Sequence, residues 1–162
     1  MKIFATVCAL LMSCVACAAT GLEETPMTKA EHAPHIITTQ STFDLDTTLT
    51  KAKSAIDSRG FKTFAVIDHA AGAASIDADL RPTTLIIFGN PKGGTPLMQA
   101  NQKLGLRLPL KLLISEDSDG NVSVDYTDMT HLFHEYGISE LAGPLGKISG
   151  ALAAIANEAS AE

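Results

Sequence analysis

One short segment in the middle of the chain, residues 83–88, constrains the fold more than any other part of the sequence. It reads Thr-Thr-Leu-Ile-Ile-Phe and is bounded by Pro82 and Gly89. A continuous apolar run of this length between two such residues is typical of a central strand. The chain is therefore expected to build a sheet around this segment.

Two stretches with helical periodicity lie on either side of this strand. The apolar stripe of the first helix is Leu45, Leu49, Ala52 and Ile56. Asp44 is placed to cap this helix and Gly60 to end it. The stripe of the second helix, over residues 140–159, is Leu141, Leu145, Ile148, Leu152 and Ile155. We expect both stripes to be buried against Leu85 and Ile87 of the central strand.

The remaining elements are further strands and short helices. Strands are predicted over residues 36–39, 61–67, 110–115 and 122–126. Residues 70–78 form either a short helix or a close-packed loop. Another short helix is capped by Thr95, opened by Pro96 and continues to Lys103, and a third covers residues 130–136. The sequence thus predicts an α+β fold: a mostly antiparallel sheet with two long helices on one face and a short inserted helix.

The first residues have the layout of a secretory signal peptide. Lys2 precedes an apolar run over residues 3–12, and small residues follow this run. Such a run is too short to span a bilayer. We therefore expect residues 1–19 to direct export, residues 20–35 to form a linker and residues 36–160 to form the domain.

Two interpretations of the processing site stay open. The small residues around Cys17 suit ordinary signal peptidase. The segments that end at Cys14 and at Cys17 also match bacterial lipoprotein boxes, in which the cysteine becomes the acylated first residue of the mature protein. The protein is therefore expected in the periplasm or, through lipid chains on Cys14 or Cys17, at a membrane of the cell envelope.

The expected mature chain lacks the residues that several kinds of site need. The three cysteines of the chain lie at positions 8, 14 and 17. The domain therefore has no disulfide, no thiol nucleophile and no cysteine-ligated metal. The formal charge is −6, and removal of residues 1–19 takes it to −7 because only Lys2 is lost. An acidic domain with scattered basic residues disfavours nucleic acid as a partner.

Several linked blocks in the middle of the chain resemble a known family. Residues 66–74 read Val-Ile-Asp-His-Ala-Ala-Gly-Ala-Ala, and residues 80–83 read Leu-Arg-Pro-Thr. Residues 87–98 form a longer block, and Leu-Pro-Leu-Lys follows at residues 108–111. In this order and spacing the blocks resemble the signatures of domain-of-unknown-function family 302 (DUF302), over residues 36–158.

The resemblance implies a fold and leaves the activity open. The implied fold is a curved antiparallel sheet that grips helices, similar to the TATA-binding-protein-like, helix-grip fold. No activity is established for the family, so the resemblance supplies no catalytic residue and no cofactor. A shared shape does not carry a shared function.

His69 is the most prominent candidate for a functional side chain. It follows Asp68 at the predicted end of a strand. A histidine in this position can act as a general base, bind a metal or hold a loop through a backbone carbonyl. Catalytic and structural roles therefore both stay open for Asp68 and His69.

A glycine-rich segment, residues 89–96, supplies further candidates. It lies between a strand and the start of a helix, where free N–H groups can hold an anion. Asn90, Lys92 and Thr95 are its candidate ligand-binding residues, and Arg81 precedes the same strand. A tight turn with a helix cap explains the same residues. We expect them to line one concave face of the sheet together with the histidine described above.

His131 and His134 are weak candidates for a metal site. They lie three residues apart on one face of a predicted helix. Their order differs from the His-Glu-x-x-His pattern of zinc enzymes. An exposed polar face of the helix explains both residues equally well.

Two functions from different classes stay open. The first is a non-catalytic module of the cell envelope that binds a small molecule or a partner protein on the concave side of the sheet. The second is an enzyme or metal-binding protein centred on His69. Catalysis usually needs two placed ionisable groups, and the blocks contain only Asp68, His69, Arg81 and Lys92. This scarcity favours the binding module, while cofactor and oligomeric state stay open.

Overall fold

The predicted sheet is present and is antiparallel throughout. The computed structural model describes residues 35–131, 136–138 and 142–162. The strands are β1 (Ile36–Gln40), β2 (Lys62–Asp68), β3 (Thr83–Gly89), β4 (Leu110–Glu116) and β5 (Val122–Thr127). They are arranged in the order β1-β5-β4-β3-β2, and each neighbouring pair is antiparallel. Hence β3 is an inner strand, as predicted, and β1 and β2 are the edges.

Two long helices pack against the sheet, and two shorter ones lie in its connections. The helices are α1 (Leu45–Ser58), α2 (His69–Ala74), α3 (Pro91–Ala100) and α4 (Ala142–Ser160). A 3₁₀ helix, Gln102–Leu106, follows α3. The predicted α+β class is confirmed, with α1 and α4 as the two long helices. No helix in the described part of the chain is long and apolar enough to cross a membrane.

The start and end of α1 agree with the sequence prediction. The Asp44 carboxylate accepts a hydrogen bond of 2.7 Å from the backbone N–H of Thr47. This bond lowers the pKa of Asp44 below its ordinary value. Gly60 follows the helix with φ of +71°, a conformation that costs glycine little. Local capping thus fixes where α1 begins and where the chain turns into β2.

The core lies between the two long helices and the inner side of the sheet. α1 and α4 pack against each other. The predicted stripe residues that are buried in this core are Ala52, Ile56, Leu145, Ile148, Leu152 and Ile155. Leu49 is partly buried and packs against the same core. The predicted helical stripes are therefore confirmed within the described residues, while Leu141 lies outside them.

The predicted inner face of β3 is wrong. Ile86 and Phe88 are fully buried and Thr84 is almost so, whereas Leu85 and Ile87 are half-buried on the opposite side of the sheet. Successive side chains of a strand point to opposite faces, so a shift of one residue exchanges the two sets. Because this run is apolar at every position from Leu85 to Phe88, its pattern does not distinguish the faces.

The predicted cap of the inserted helix is also wrong. α3 begins at Pro91, and Asn90 caps it by accepting a hydrogen bond of 2.9 Å from the backbone N–H of Lys92. Pro91 suits the first helical position because its missing N–H would have no partner there. Thr95 and Pro96, which the sequence placed at the start, lie inside the helix.

Two predicted regions lie outside the described residues. One is the export segment with Cys14 and Cys17, together with the linker up to residue 34. The other is most of the predicted helix over residues 130–136, including His134. Their predicted roles stay predictions.

Candidate functional site

A bulge in β2 brings an aromatic side chain to one end of the sheet. Thr63 pairs with Phe88 and Ala65 with Ile87, so Phe64 is an extra residue on the edge strand. The Phe64 ring lies against Gly89, where an added Cβ would stand 3.2 Å from a ring carbon. Glycine at this position therefore allows the ring to approach the last residue of β3. Phe64 is 48% exposed and thus forms a wall with one open side.

This aromatic wall borders an apolar pocket of about 210 Å³, which we call the α3 pocket. One side consists of Phe61, Phe64 and Gly89. Residues of α3 form a second side, and residues 108–110 form a third. Ile148 of α4 completes the lining. The pocket therefore lies on the helix-covered side of the sheet, at the end of β3.

The lining of the α3 pocket contains no ionisable side chain. Its polar side chains are those of Asn90 and Thr95. The Asn90 amide is occupied by the backbone, since its Nδ2 donates to the Gly60 carbonyl oxygen at 3.0 Å and its Oδ1 caps α3. Thr95 is exposed on α3 and has no side-chain hydrogen bond to another described residue. The pocket can therefore hold an apolar group, with one hydroxyl at its rim.

The two glycines in the first turn of α3 keep this pocket open. A Cβ on Gly94 would be 3.8 Å from a Leu108 methyl carbon and 3.9 Å from the Met98 methyl carbon. A Cβ on Gly93 would have no atom within 4 Å. A larger side chain at position 94 would therefore enter the space between α3 and Leu108.

Arg81 lies elsewhere, in a polar groove of about 410 Å³ on the opposite, outer face of the sheet. The groove lies where β3 begins, beside the turn between β4 and β5. Leu80 and Leu113 contribute its apolar surface. Its polar lining combines Arg81 with two carboxylates and with uncharged side chains: Glu116, Asp117, Gln40, Thr83, Ser115, Asn121 and Ser123. We call this region the outer groove.

Asp68 and His69 form the start of α2. The Asp68 carboxylate caps this helix by accepting a hydrogen bond of 2.9 Å from the backbone N–H of Ala71. His69 is the first residue of the helix and is exposed. Neither residue lines the α3 pocket or the outer groove. An activity centred on His69 stays a prediction.

The candidate residues do not converge on one face as the sequence predicted. Asp68 pairs with Thr84 at the beginning of β3, whereas Lys62 pairs with Gly89 at its end. Arg81 and His69 therefore belong to one end of this strand pair, and Asn90, Lys92 and Thr95 to the other. A seven-residue strand separates these ends by about 20 Å. Lys92 is exposed and does not line the pocket.

His131 lies beside a second histidine, His35. Its ring centroid is 3.8 Å from that of His35. Nearby, burial opposes ionisation of Asp128, but hydrogen bonds from Thr130 and the charges of the two histidines outweigh it and lower the pKa of Asp128. Among residues 35–131, 136–138 and 142–162, no three His, Cys, Asp or Glu side chains are placed to hold a metal ion.

The apolar walls of the α3 pocket belong to no site predicted from the sequence. Phe64 is one such residue, and its signal in the sequence is an aromatic side chain in a predicted strand; the structure places this strand at the edge of the sheet. The block at residues 108–111 carries only the family resemblance at the level of sequence, yet Leu108 and Pro109 line the pocket. The Leu108–Pro109 peptide bond is cis.

Comparison with known families gives one match that spans most of the chain. The model of the family described as domain of unknown function DUF302 matches residues 37–155. This range contains all five strands except the first residue of β1, and it contains both candidate sites.

Curated relatives match over a shorter region. A protein named fluoride-specific ion channel FluC 1, from Brucella suis, is 38% identical over 106 residues, which are 64% of this chain and 42% of that protein. Proteins of Brucella abortus and Brucella melitensis, named FluC 1 and FluC 2, match at the same identity. The chain thus spans about two fifths of the length of these relatives.

A solved structure has the same fold. It is described as an uncharacterized conserved protein DUF302 from Bacillus stearothermophilus and superposes with a TM-score of 0.71 at 18% identity. The match covers 78% of this chain and 99% of that one. At this identity the likeness concerns the fold alone.

Proposed function

This chain belongs to the DUF302 family, and from that premise we propose that it is a small-ligand-binding module of the cell envelope. The α3 pocket is the proposed binding site. The ligand is a small apolar molecule, or the apolar part of a larger one. No chemical step is assigned to this site.

The observation that carries this proposal is the convergence of separate blocks on one pocket. The segment with Gly89 and the first turn of α3 lines one part, and Leu108 with Pro109 lines another. Phe64 and Ile148 come from still more distant parts of the chain. Binding sites are typically concave and mostly apolar, with few polar groups that orient the ligand.

The chemistry of the lining favours binding over catalysis. General acid–base catalysis requires an ionisable side chain within hydrogen-bond distance of the reacting group. The α3 pocket has none in its lining. The Thr95 hydroxyl at the rim is a group that can orient a ligand by one hydrogen bond.

The volume of the pocket limits the size of the buried part. An apolar cavity of about 150 Å³ in another protein accepts benzene. The α3 pocket, at about 210 Å³, is therefore expected to hold a group of one ring or a short branched chain. Larger ligands would extend through its open side past Phe64.

The cell-envelope part of the proposal rests on the sequence. The apolar run over residues 3–12 after Lys2 is the signal-peptide pattern on which export is inferred. A region similar to part of this chain also occurs in Brucella proteins named as fluoride-specific ion channels. A lipid anchor at Cys14 or Cys17 would place the present protein at a membrane.

The direct experiment is native mass spectrometry of the protein purified from its own cells. We expect a retained small molecule on the unaltered protein. Gly94→Leu is expected to abolish retention, since the added side chain fills the space beside Leu108 and Met98. The matched control is Gly150→Leu, on an exposed position of α4 where a Cβ has no atom within 4 Å.

The circular dichroism spectra and melting temperatures of both variants should remain those of a folded domain. Equal retention by Gly94→Leu and the unaltered protein would show that the molecule binds elsewhere. A retained molecule with no apolar group would also contradict the proposed ligand class.

A further inference from the structure

The described lining of the α3 pocket offers no charged partner to a ligand, although the pocket lies at the start of a helix. Such a helix end can hold an anion through free backbone N–H groups. Here Pro91 has no N–H, and the Lys92 N–H donates to the Asn90 side chain at 2.9 Å. The N–H groups of Gly93 and Gly94 both donate to the Asn90 carbonyl oxygen, each at 3.0 Å. A charged group would therefore lose its hydration in this pocket without compensation.

One hydroxyl group of the pocket is available to a ligand. The Asn90 side chain is held by hydrogen bonds to the backbone of Gly60 and Lys92. Thr95, the other polar side chain of the described lining, makes no hydrogen bond to a described residue. A threonine hydroxyl can donate one hydrogen bond and accept others. The pocket thus suits a neutral ligand with one polar group.

Two aromatic rings form one side of the pocket. Phe61 is held by an edge-to-face contact with buried Phe88, with ring centroids 5.6 Å apart and an interplanar angle of 90°. The Phe64 ring lies beside Gly89 and is half exposed. Aromatic rings attract one another in stacked and edge-to-face arrangements beyond the effect of burial. A ring in the ligand would therefore gain a contact with Phe64 that an aliphatic group of the same size lacks.

The side formed by α3 consists of backbone and a thioether. Gly93 and Gly94 line the pocket without side chains. An added Cβ on Gly94 would be 3.9 Å from the methyl carbon of Met98, which also lines the pocket. Thioether sulfur makes favourable contacts with aromatic rings. Aromatic, thioether and bare backbone surfaces together suit a planar ring.

We propose that the ligand of the α3 pocket is a neutral aromatic compound with one ring and one hydroxyl or carbonyl group, of the phenol type. This proposal rests on the function proposed above and narrows its ligand class. The ring contacts Phe64 and Met98, and its polar group forms a hydrogen bond with the Thr95 hydroxyl. A volume of about 210 Å³ accommodates one such ring.

The test is a two-dimensional NMR titration of the protein with small probes, after dialysis against a hydrophobic adsorbent to remove any retained molecule. Phenol should shift the amide signals of Gly89 and Gly94. It should bind about threefold or more tightly than cyclohexanol, which has a hydroxyl group and similar size but no aromatic ring. Benzoate should bind about tenfold or more weakly than phenol, because its carboxylate would be desolvated without a partner.

Phe64→Leu tests the aromatic contact. This change keeps the wall apolar but removes its ring. Phenol binding should weaken about threefold or more, whereas cyclohexanol binding should change by less than about twofold. Equal weakening of both probes would contradict a contact between aromatic rings.

Thr95→Val tests the hydrogen bond, since valine has nearly the same shape but no hydroxyl group. Phenol binding should weaken about threefold or more, while toluene, which has no hydroxyl group, should bind as before. The matched control is Thr50→Val, at an exposed position of α1, which should affect neither probe. Equal responses of phenol and toluene to Thr95→Val would refute the role of Thr95.

The outcomes separate this proposal from the one on which it rests. Equal binding of phenol and cyclohexanol by the unaltered protein would overturn the aromatic ligand class and leave the α3 pocket as an apolar binding site. Benzoate as the tightest probe would overturn the neutral class. If no probe shifted the signals of Gly89 and Gly94, the proposed function of the pocket would fail as well.

Discussion

The two sides of β3 differ in what covers them, and this difference separates the two candidate sites. On one side, Ile86 and Phe88 are fully buried beneath α1 and α4, and the α3 pocket lies at the end of the strand. On the other, Leu85 and Ile87 are half-buried, and the outer groove lies where the strand begins. One strand thus contributes to an apolar pocket within the fold and to a polar groove on its surface.

An apolar sequence alone therefore does not identify which residues form a core. Leu85 and Ile86 are adjacent, of similar size and equally hydrophobic. Only the helices that pack on one side make their environments different. We therefore expect the free energy of unfolding to respond very differently to changes at these two positions.

The largest expected effect comes from truncating the covered side. Ile86→Ala should reduce the free energy of unfolding by about 2–5 kcal/mol, the range for large-to-small changes in a core. Leu85→Ala should cost less than about 2 kcal/mol, because its side chain is already partly in water. Urea denaturation of both variants measures the difference. Equal losses would mean that the outer side is covered in solution.

The helix layer itself can be tested at α4. Leu152 is 1% exposed, and Leu152→Ala should also cost about 2–5 kcal/mol of unfolding free energy. The matched control is Leu106→Ala, because Leu106 is 80% exposed and its truncation should change stability by less than about 0.5 kcal/mol. A loss below about 1 kcal/mol for Leu152→Ala would contradict its position in the core.

A smaller effect is expected at the outer edge of the helix layer. Arg59 of the α1 end forms an ion pair of 2.7 Å with Glu158 of α4, and both side chains contact solvent. Glu158→Gln should therefore cost only about 0.2–1 kcal/mol, and less at high salt. Glu162→Gln, an exposed change near the same end, is the control. A loss of several kcal/mol would mean that this ion pair contributes more to the free energy of unfolding than an exposed pair is expected to contribute.

The smallest expected effect concerns pH at the outer groove. Side-chain and backbone hydrogen bonds from Asn121, the hydrogen bond from Asp119 and the positive charge of Arg81 lower the pKa of Asp117. Its ionised form then stabilises the fold above the unfolded-state pKa, near 3.9, and this contribution is lost as the pH falls through the lower folded-state pKa. Asp117→Asn should flatten the fall in melting temperature over this acidic range.

The control for that measurement is Asp119→Asn in the same turn, since the Asp119 side chain makes no hydrogen bond to a described residue. Asp119→Asn should therefore keep the acidic fall in melting temperature that the unaltered protein has. If Asp117→Asn left the dependence of melting temperature on pH unchanged, these hydrogen bonds would not stabilise the ionised Asp117 carboxylate.

The sequence predicts elements that depend on local interactions. The capping of α1 by Asp44 and the stripes of α1 and α4 require only neighbours along the helix, and within the described residues they are found as expected. The start of α3 is ambiguous at this level, because Asn90 with Pro91 and Thr95 with Pro96 are two similar pairs of cap and proline. The structure uses the first pair.

Properties that depend on strand pairing cannot be predicted from the periodicity of the sequence. The inner face of β3 follows from which side the helices cover, and no periodicity encodes this in a run that is apolar at each position. The predicted convergence of Arg81 with Asn90 failed for a related reason. Arg81 precedes β3 and Asn90 follows it. Because the two ends of an extended strand are far apart, these residues do not lie close together in the fold.

The bulge at Phe64 also bears on aggregation. β2 is an edge strand, and an edge with a regular row of unpaired N–H and C=O groups can recruit a strand from another molecule. The extra residue interrupts that row, and Lys62 places a charge at the beginning of the strand. β1, the other edge, reads Ile-Ile-Thr-Thr-Gln and contains neither a bulge nor a charged residue. When the domain is concentrated or partly unfolded, intermolecular β-sheet should therefore begin at β1 rather than at β2.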